Sequence, residues 1–96
     1  MDFLVHMEVT GVIEGGSQRQ AELYLQESER ARELGAMGTL RRLWRIPGRR
    51  ANWGIWCTGT ADELHAALAS LPLYPYLTIT VQPLASHPND PRNALD

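Results

Sequence analysis

Lysine is absent from the 96 residues, and all nine cationic side chains are arginines. Schiff-base chemistry and lysine-based phosphate binding of the Walker type are thereby excluded. The single cysteine, Cys57, permits no internal disulfide and no cysteine-based zinc site, and His6, His65 and His87 lie too far apart for a sequence-local metal motif. No metal is expected. Long apolar runs are missing too: none approaches the roughly 20 residues of a membrane span, and Met1-Asp2-Phe3 lacks the basic start and apolar core of a secretion signal. The expected setting is the cytoplasm, with no membrane partner.

What is present describes one small domain spanning residues 1–96, with 44% hydrophobic and 21% charged side chains and a net charge of -2. A chain of this length buries only about two thirds of its unfolded surface, so self-association is expected. Arg41, Arg42, Arg45, Arg49 and Arg50 fall within ten residues and form a local positive region on a mildly acidic protein. An anionic small molecule is the natural ligand for such a region.

The apolar pattern orders the elements. Phe3, Val5, Met7 and Val9 alternate with Leu4, His6 and Glu8, the period of a strand with one better-buried face. After Gly15 and Gly16, Ser17 with Gln20 three residues later reads as a capping box, opening a helix that runs to about Leu34; Gly35 and Gly38 suit its exit. Thr39 to Ile46 and Arg50 to Cys57 read as a hairpin about Pro47-Gly48. Thr60-Ala61-Asp62-Glu63 is a second capping box, followed by Leu64, Ala67, Leu68 and Leu71 at helical spacing and stopped by Pro72. Leu77 to Val81 is a last strand, and the tail from Pro83 onward should be mostly irregular. The resulting order is β-α-β-β-α-β. It predicts an α+β fold of ferredoxin-like type, a four-stranded antiparallel sheet carrying two helices on one face.

One carboxylate breaks the pattern. On the first helix Leu23, Tyr24, Ala31 and Leu34 define the apolar stripe, and Glu27 lies at its centre, facing the space between helices and sheet. Desolvation there raises a carboxyl pKa toward neutrality and makes it a competent proton shuttle. The competing reading is structural: a half-buried ion pair between Glu27 and a hairpin arginine, holding helix to sheet.

Strict alternation puts Leu40, Arg42, Trp44 and Ile46 on one face of the first hairpin strand and Thr39, Arg41, Leu43 and Arg45 on the other. On the second, Arg50, Asn52, Gly54 and Trp56 stand together against Ala51, Trp53, Ile55 and Cys57. Gly54 leaves space above the sheet, beside which Asn52 can bind a carbonyl or carboxylate and Arg50 can clamp an anion. The plainer reading makes Arg50 a solvated turn residue and lets Asn52 satisfy the backbone. Leu71 to Tyr76 form a proline-restrained apolar connection suited to closing one end of a pocket or meeting another subunit; Tyr74 and Tyr76 can donate hydrogen bonds there. His65 and Cys57 read as packing residues.

Gly38-Thr39, Arg41, Leu43-Trp44-Arg45-Ile46, Gly48, Ala51-Asn52, Leu64-His65, Leu71-Pro72-Leu73, Pro75-Tyr76 and His87-Pro88 together resemble the muconolactone delta-isomerase family, nearly end to end, and Glu27 matches an acidic position on that family's first helix. The resemblance implies a dimeric α+β barrel type of fold, no cofactor, and dimers within larger, typically decameric rings. It implies a place in the β-ketoadipate route of aromatic catabolism, where muconolactone becomes 3-oxoadipate enol-lactone by a double-bond shift within the ring. Glu27 would be the base, Asn52 would bind the lactone or its enolate, and Arg41 or Arg45 would hold the substrate carboxylate, with Arg50 and Tyr76 as further binding candidates. Two departures from the family pattern stand out: Arg50 occupies a position where the pattern has tyrosine near the active site, and Gln26 replaces an acidic neighbour. They keep open a second reading, a family member acting on another substrate, by dehalogenation of a chlorinated lactone or rearrangement of a biosynthetic intermediate. An RNA-binding module fits the element order, but its aromatic, glycine-rich strand motif is missing and the charge is negative, so no nucleic-acid partner is expected.

Overall fold

In a computed structural model, which describes residues 1–94, the elements follow in the expected order: β1 (Asp2–Val9), α1 (Gly16–Ala36), β2 (Leu40–Arg45), β3 (Ala51–Cys57), α2 (Ala61–Ala69) and β4 (Leu77–Leu84). The strands form one sheet in the order β2-β3-β1-β4. Each neighbouring pair is antiparallel. This is the α+β arrangement expected from the sequence. Its helix-side face is set by register. Phe3, Val5 and Met7 stand opposite Trp56, Gly54 and Asn52, so the alternation in β1 and β3 turns all six toward the helices.

Both helices close over that face. Leu34 of α1 and Leu64 and Leu68 of α2 pack with Phe3, Val5, Met7, Trp56 and Leu71 into one buried cluster. Each such side chain contributes about 1.5–3 kcal/mol on burial. A second, smaller cluster joins Ile13, Leu23 and Leu73, with Val9, Tyr76 and Leu77 against it. The gap between the two clusters is where the site lies.

Four local features depart from the sequence reading. Ser17 does not cap α1: the helix starts at Gly16, and its cap position is Gly15, which has φ 99° and gives no side-chain hydrogen bond. Gly15 and Gly16, both at positive φ, bring the chain in by a left-handed route that serine rarely adopts, leaving Ser17 inside the first turn. At its other end α1 continues to Ala36 and stops at Gly38, where Thr39 N–H donates to Leu34 O at 3.0 Å, the six-to-one bond of a Schellman ending. β4 runs on through Pro83 to Leu84. It is an edge strand, whose outer side needs no ladder donor, so proline is tolerated within it. The tail beyond it includes a short 3-10 turn at Pro91–Ala94.

The fourth departure moves functional candidates. The β2–β3 register shifts between Leu40 and Arg42, which stand opposite Trp56 and Ile55. This irregularity breaks the strict alternation. Leu40, Leu43 and Arg45 therefore share the helix-side face, through their partners Trp56, Gly54 and Asn52, while Arg42 and Trp44 go to the outer face. There the Arg42 guanidinium lies 4.6 Å from the Trp44 ring centre, and Trp53 meets His6 edge to face at 4.8 Å. No helix among the described residues is long and apolar enough to cross a membrane.

Candidate active site

A cavity of about 480 Å³ opens between α1 and the sheet. Its floor is Met7 and Val9 of β1 with Ala51, Asn52 and Trp56 of β3; Leu40, Leu43 and Arg45 of β2 form one wall; Tyr24, Glu27, Ser28 and Ala31 of α1 form the roof. The helical stripe accounts for the roof, since these four residues recur at three- and four-residue spacing. The far end is closed by Leu71 and Leu73, from the proline-restrained connection after α2. α2 itself contributes no lining residue, so the cavity is roofed by one helix rather than two.

Glu27 is half-buried and points into this space. Its Oε1 accepts a hydrogen bond from the Leu73 backbone N–H at 3.0 Å. Burial raises its pKa above the ordinary carboxylate value, and the Leu73 bond, which favours the charged form, only partly opposes that. Among the described residues Glu27 forms no ion pair; the salt bridges join Arg19 to Glu22, Arg30 to Glu33 and Arg49 to Glu8. The ion-pair reading of Glu27 is therefore replaced: the link it makes is to a backbone amide, and Oε2 takes no hydrogen bond from the described residues.

The cationic rim has three members. Arg45 has no carboxylate partner among the described residues, Arg49 is paired with Glu8, and Arg50 donates from Nη2 to the Tyr24 hydroxyl. The Arg50 contact spans the mouth of the cavity from the turn before β3 to α1. It was not readable from the sequence, because it joins residues 26 positions apart. Arg50 is thus tied to a neutral partner and is not a free turn residue.

Asn52 sits on the floor, and its carboxamide oxygen is buried without a hydrogen-bond partner; the Trp56 indole nitrogen is in the same state. Asn52 therefore does not serve to satisfy the backbone through that oxygen. A buried polar atom left unpaired costs about 1–3 kcal/mol, so such atoms in a cavity wall mark where a ligand's polar atoms fit.

Two candidates are not brought here. Arg41, at the register shift in β2, is exposed and lies outside the cavity wall. Tyr76 belongs to the cluster around Ile13, Leu23 and Leu73, and its carbonyl accepts from Thr10 and Gly11 N–H, each at 3.0 Å. The 3-10 turn at Tyr74–Tyr76 sends Leu71 and Leu73 to the cavity and the tyrosines elsewhere. His65 is exposed, with its ring edge-on to Tyr74 at 6.3 Å. Among the described residues no group of three or more His, Cys, Asp or Glu side chains is placed to hold a metal ion.

A carboxylate of raised pKa over an apolar floor, with guanidinium groups at the rim, equips a pocket for proton transfer on a small anionic molecule. Fold and site together are those of a small α+β acid–base enzyme. A family model described as muconolactone delta-isomerase matches residues 1–90, and the chain belongs to that family. It is 37% identical over 92 residues to the Muconolactone Delta-isomerase of Cupriavidus pinatubonensis, covering 96% of this chain and 100% of that protein. To the protein of the same name from Pseudomonas aeruginosa it is 36% identical, covering 93% of each. A crystal structure of muconolactone isomerase superposes with a TM-score of 0.87 at 36% identity, over 95% of each chain.

Proposed function

We propose that this protein is a cofactor-independent isomerase that converts muconolactone to 3-oxoadipate enol-lactone. The single observation carrying the mechanism is Glu27: half-buried, raised in pKa, facing the cavity and held by Leu73. Ionised Oε2 takes the ring proton activated through the conjugated carbonyl, and the electron pair passes through the ring to the carbonyl oxygen as a dienolate. The same carboxyl then returns a proton to the carbon beside the carbonyl. One double bond has moved and the formula is unchanged. Such acid–base help is worth about 10²–10⁴ in rate.

The remaining lining divides the substrate between apolar and charged parts. Met7, Val9, Leu43 and Leu73 enclose the ring, Asn52 binds its polar edge, and Arg45 takes the carboxylate arm with charge-assisted hydrogen bonds. Arg50, already bonded to Tyr24, closes the mouth. The family relationship supports this substrate and offers nothing for dehalogenation or a biosynthetic rearrangement. A role in the β-ketoadipate route and a cytoplasmic setting belong to the same proposal.

Self-association, as dimers or a decamer, is part of it as well. The outer face of the sheet leaves Trp44 at 45% and Trp53 at 41% exposure, and every residue from Thr80 to Asn93 is exposed. Both regions are available for burial against further copies. The test of the activity is incubation with muconolactone in deuterated water, following absorbance and deuterium in the product. Turnover with label beside the carbonyl is the expected result; the absence of both turnover and exchange would remove the proposal.

A further inference from the structure

Trp56 is the largest fully buried side chain, 1% exposed, and reads at first as core. It shares a hydrophobic cluster with Phe3, Val5 and Leu34, but its Nε1–H has no acceptor among the described residues. A buried indole N–H ordinarily finds a partner, so its isolation here calls for one supplied from outside the chain. Gly54 explains how the nitrogen comes to be where it is. A Cβ built on Gly54 would lie 3.0 Å from Trp56 Nε1 and 3.2 Å from Leu43 Cδ1. The indole nitrogen therefore occupies the space that the missing side chain leaves, displaced along β3 from its own residue toward Asn52. Asn52, Leu43 and Trp56 all line the cavity, and Asn52 carries the other unpartnered buried atom.

We propose that Trp56 is a substrate-binding residue of this site, its indole N–H donating to the carbonyl oxygen of the bound lactone. Asn52 completes the pair: with its carboxamide turned over, Nδ2–H points where the unpartnered oxygen now lies, and both donors meet one acceptor. That oxygen gains negative charge when Glu27 removes the ring proton, so the two donors bind the dienolate more strongly than the ground state. This rests on the isomerase reading in its choice of ligand, while the unpartnered donor and its place in the wall stand on the structure alone.

The test uses the intact protein labelled with ¹⁵N and, as probe, the saturated five-membered lactone bearing an acetate arm, which has the carbonyl and carboxylate but no double bond to shift. Trp44→Phe and Trp53→Phe identify two of the indole signals, and the third is Trp56. Titration with the probe should move the Trp56 indole proton downfield. Trp56→Phe, which retains an aromatic ring and removes the donor, should lower kcat/KM for muconolactone roughly ten- to a hundredfold. An indole signal that stays in place at probe concentrations that fully inhibit turnover, or an unchanged kcat/KM in the folded variant, overturns the proposal. Absence of muconolactone turnover by the unmodified protein instead sinks the isomerase reading, and the indole titration still reports separately on the donor.

Discussion

Glu27 Oε1 and the Leu73 amide nitrogen lie 3.0 Å apart, linking the middle of α1 to the connection that follows α2. One hydrogen bond thus does two things. It fixes the rotation of a carboxylate that burial would otherwise favour protonating, and it reserves the second oxygen for chemistry. Glutamine retains an oxygen able to accept from Leu73 but offers no basic lone pair at the other position. Glu27→Gln should therefore fold normally and lose about 10²–10⁴ in kcat, with KM changed far less. Steady-state kinetics on muconolactone check this; wild-type turnover by the variant would exclude Glu27 as the base.

The raised pKa of Glu27 gives the pH dependence a definite sign. The base must be ionised, so kcat/KM should rise with pH through a single ionisation lying above the ordinary carboxylate range, and Glu27→Gln should abolish that limb. Stability runs the opposite way. Because the folded state holds the proton more tightly than the unfolded chain, the contribution of Glu27 is fully present below the unfolded pKa and is lost as pH rises through the folded one. The melting temperature of Glu27→Gln relative to the parent should accordingly be higher at neutral pH than in acid. Paired melting curves across that range decide it.

Much of this arrangement was legible in the sequence, and the exceptions at the site share a cause. Alternation in β1, the Thr60 cap of α2, whose Oγ1 accepts from Glu63 N–H at 3.1 Å, and the place of Glu27 on the α1 stripe all depend on residues close in sequence. So does the grouping of Asn52, Gly54 and Trp56. What escaped depends on pairing between distant segments. The β2 register is set by its ladder to β3, and one shift near Arg41 is enough to separate Arg41 from Arg45, which strict alternation puts on one face, and to leave Arg45 alone of the two at the cavity. The partner of Glu27 lies 46 residues away, and arginine and a backbone amide are equally compatible with the local pattern. The α1 cap escaped for a different, local reason: Gly15 and Gly16 displace it from Ser17 through backbone angles that the side-chain signature does not encode.

That register shift yields a discriminating prediction for the arginines. Arg45 lines the cavity without a carboxylate partner among the described residues, whereas Arg41 lies outside the wall. A hydrogen bond to a charged group contributes about 1.5–3 kcal/mol, equivalent to roughly ten- to a hundredfold in affinity. Arg45→Ala should raise KM for muconolactone by about that factor, with a smaller effect on an analogue whose carboxylate is esterified. Arg41→Ala should leave KM nearly unchanged. Equal effects of the two variants would place the carboxylate arm elsewhere.

Gly54 should be intolerant of even the smallest side chain, for reasons that separate packing from propensity. It lies in β3, an inner strand, where alanine would ordinarily be preferred by about 0.5–1 kcal/mol because glycine loses more freedom on folding. Here the added carbon would meet Trp56 Nε1 at 3.0 Å and, on the neighbouring strand, the Arg42 carbonyl oxygen at 3.2 Å. The indole can shift, but the carbonyl belongs to the sheet ladder and has little room to move. Overpacking of this kind typically costs about 1–3 kcal/mol, which outweighs the gain in propensity. Gly54→Ala should thus lower stability in denaturant titration and also reduce kcat/KM, because Trp56 and Leu43 flank the space it fills. A variant with increased stability and full activity would mean that the floor of the cavity is looser than this geometry allows.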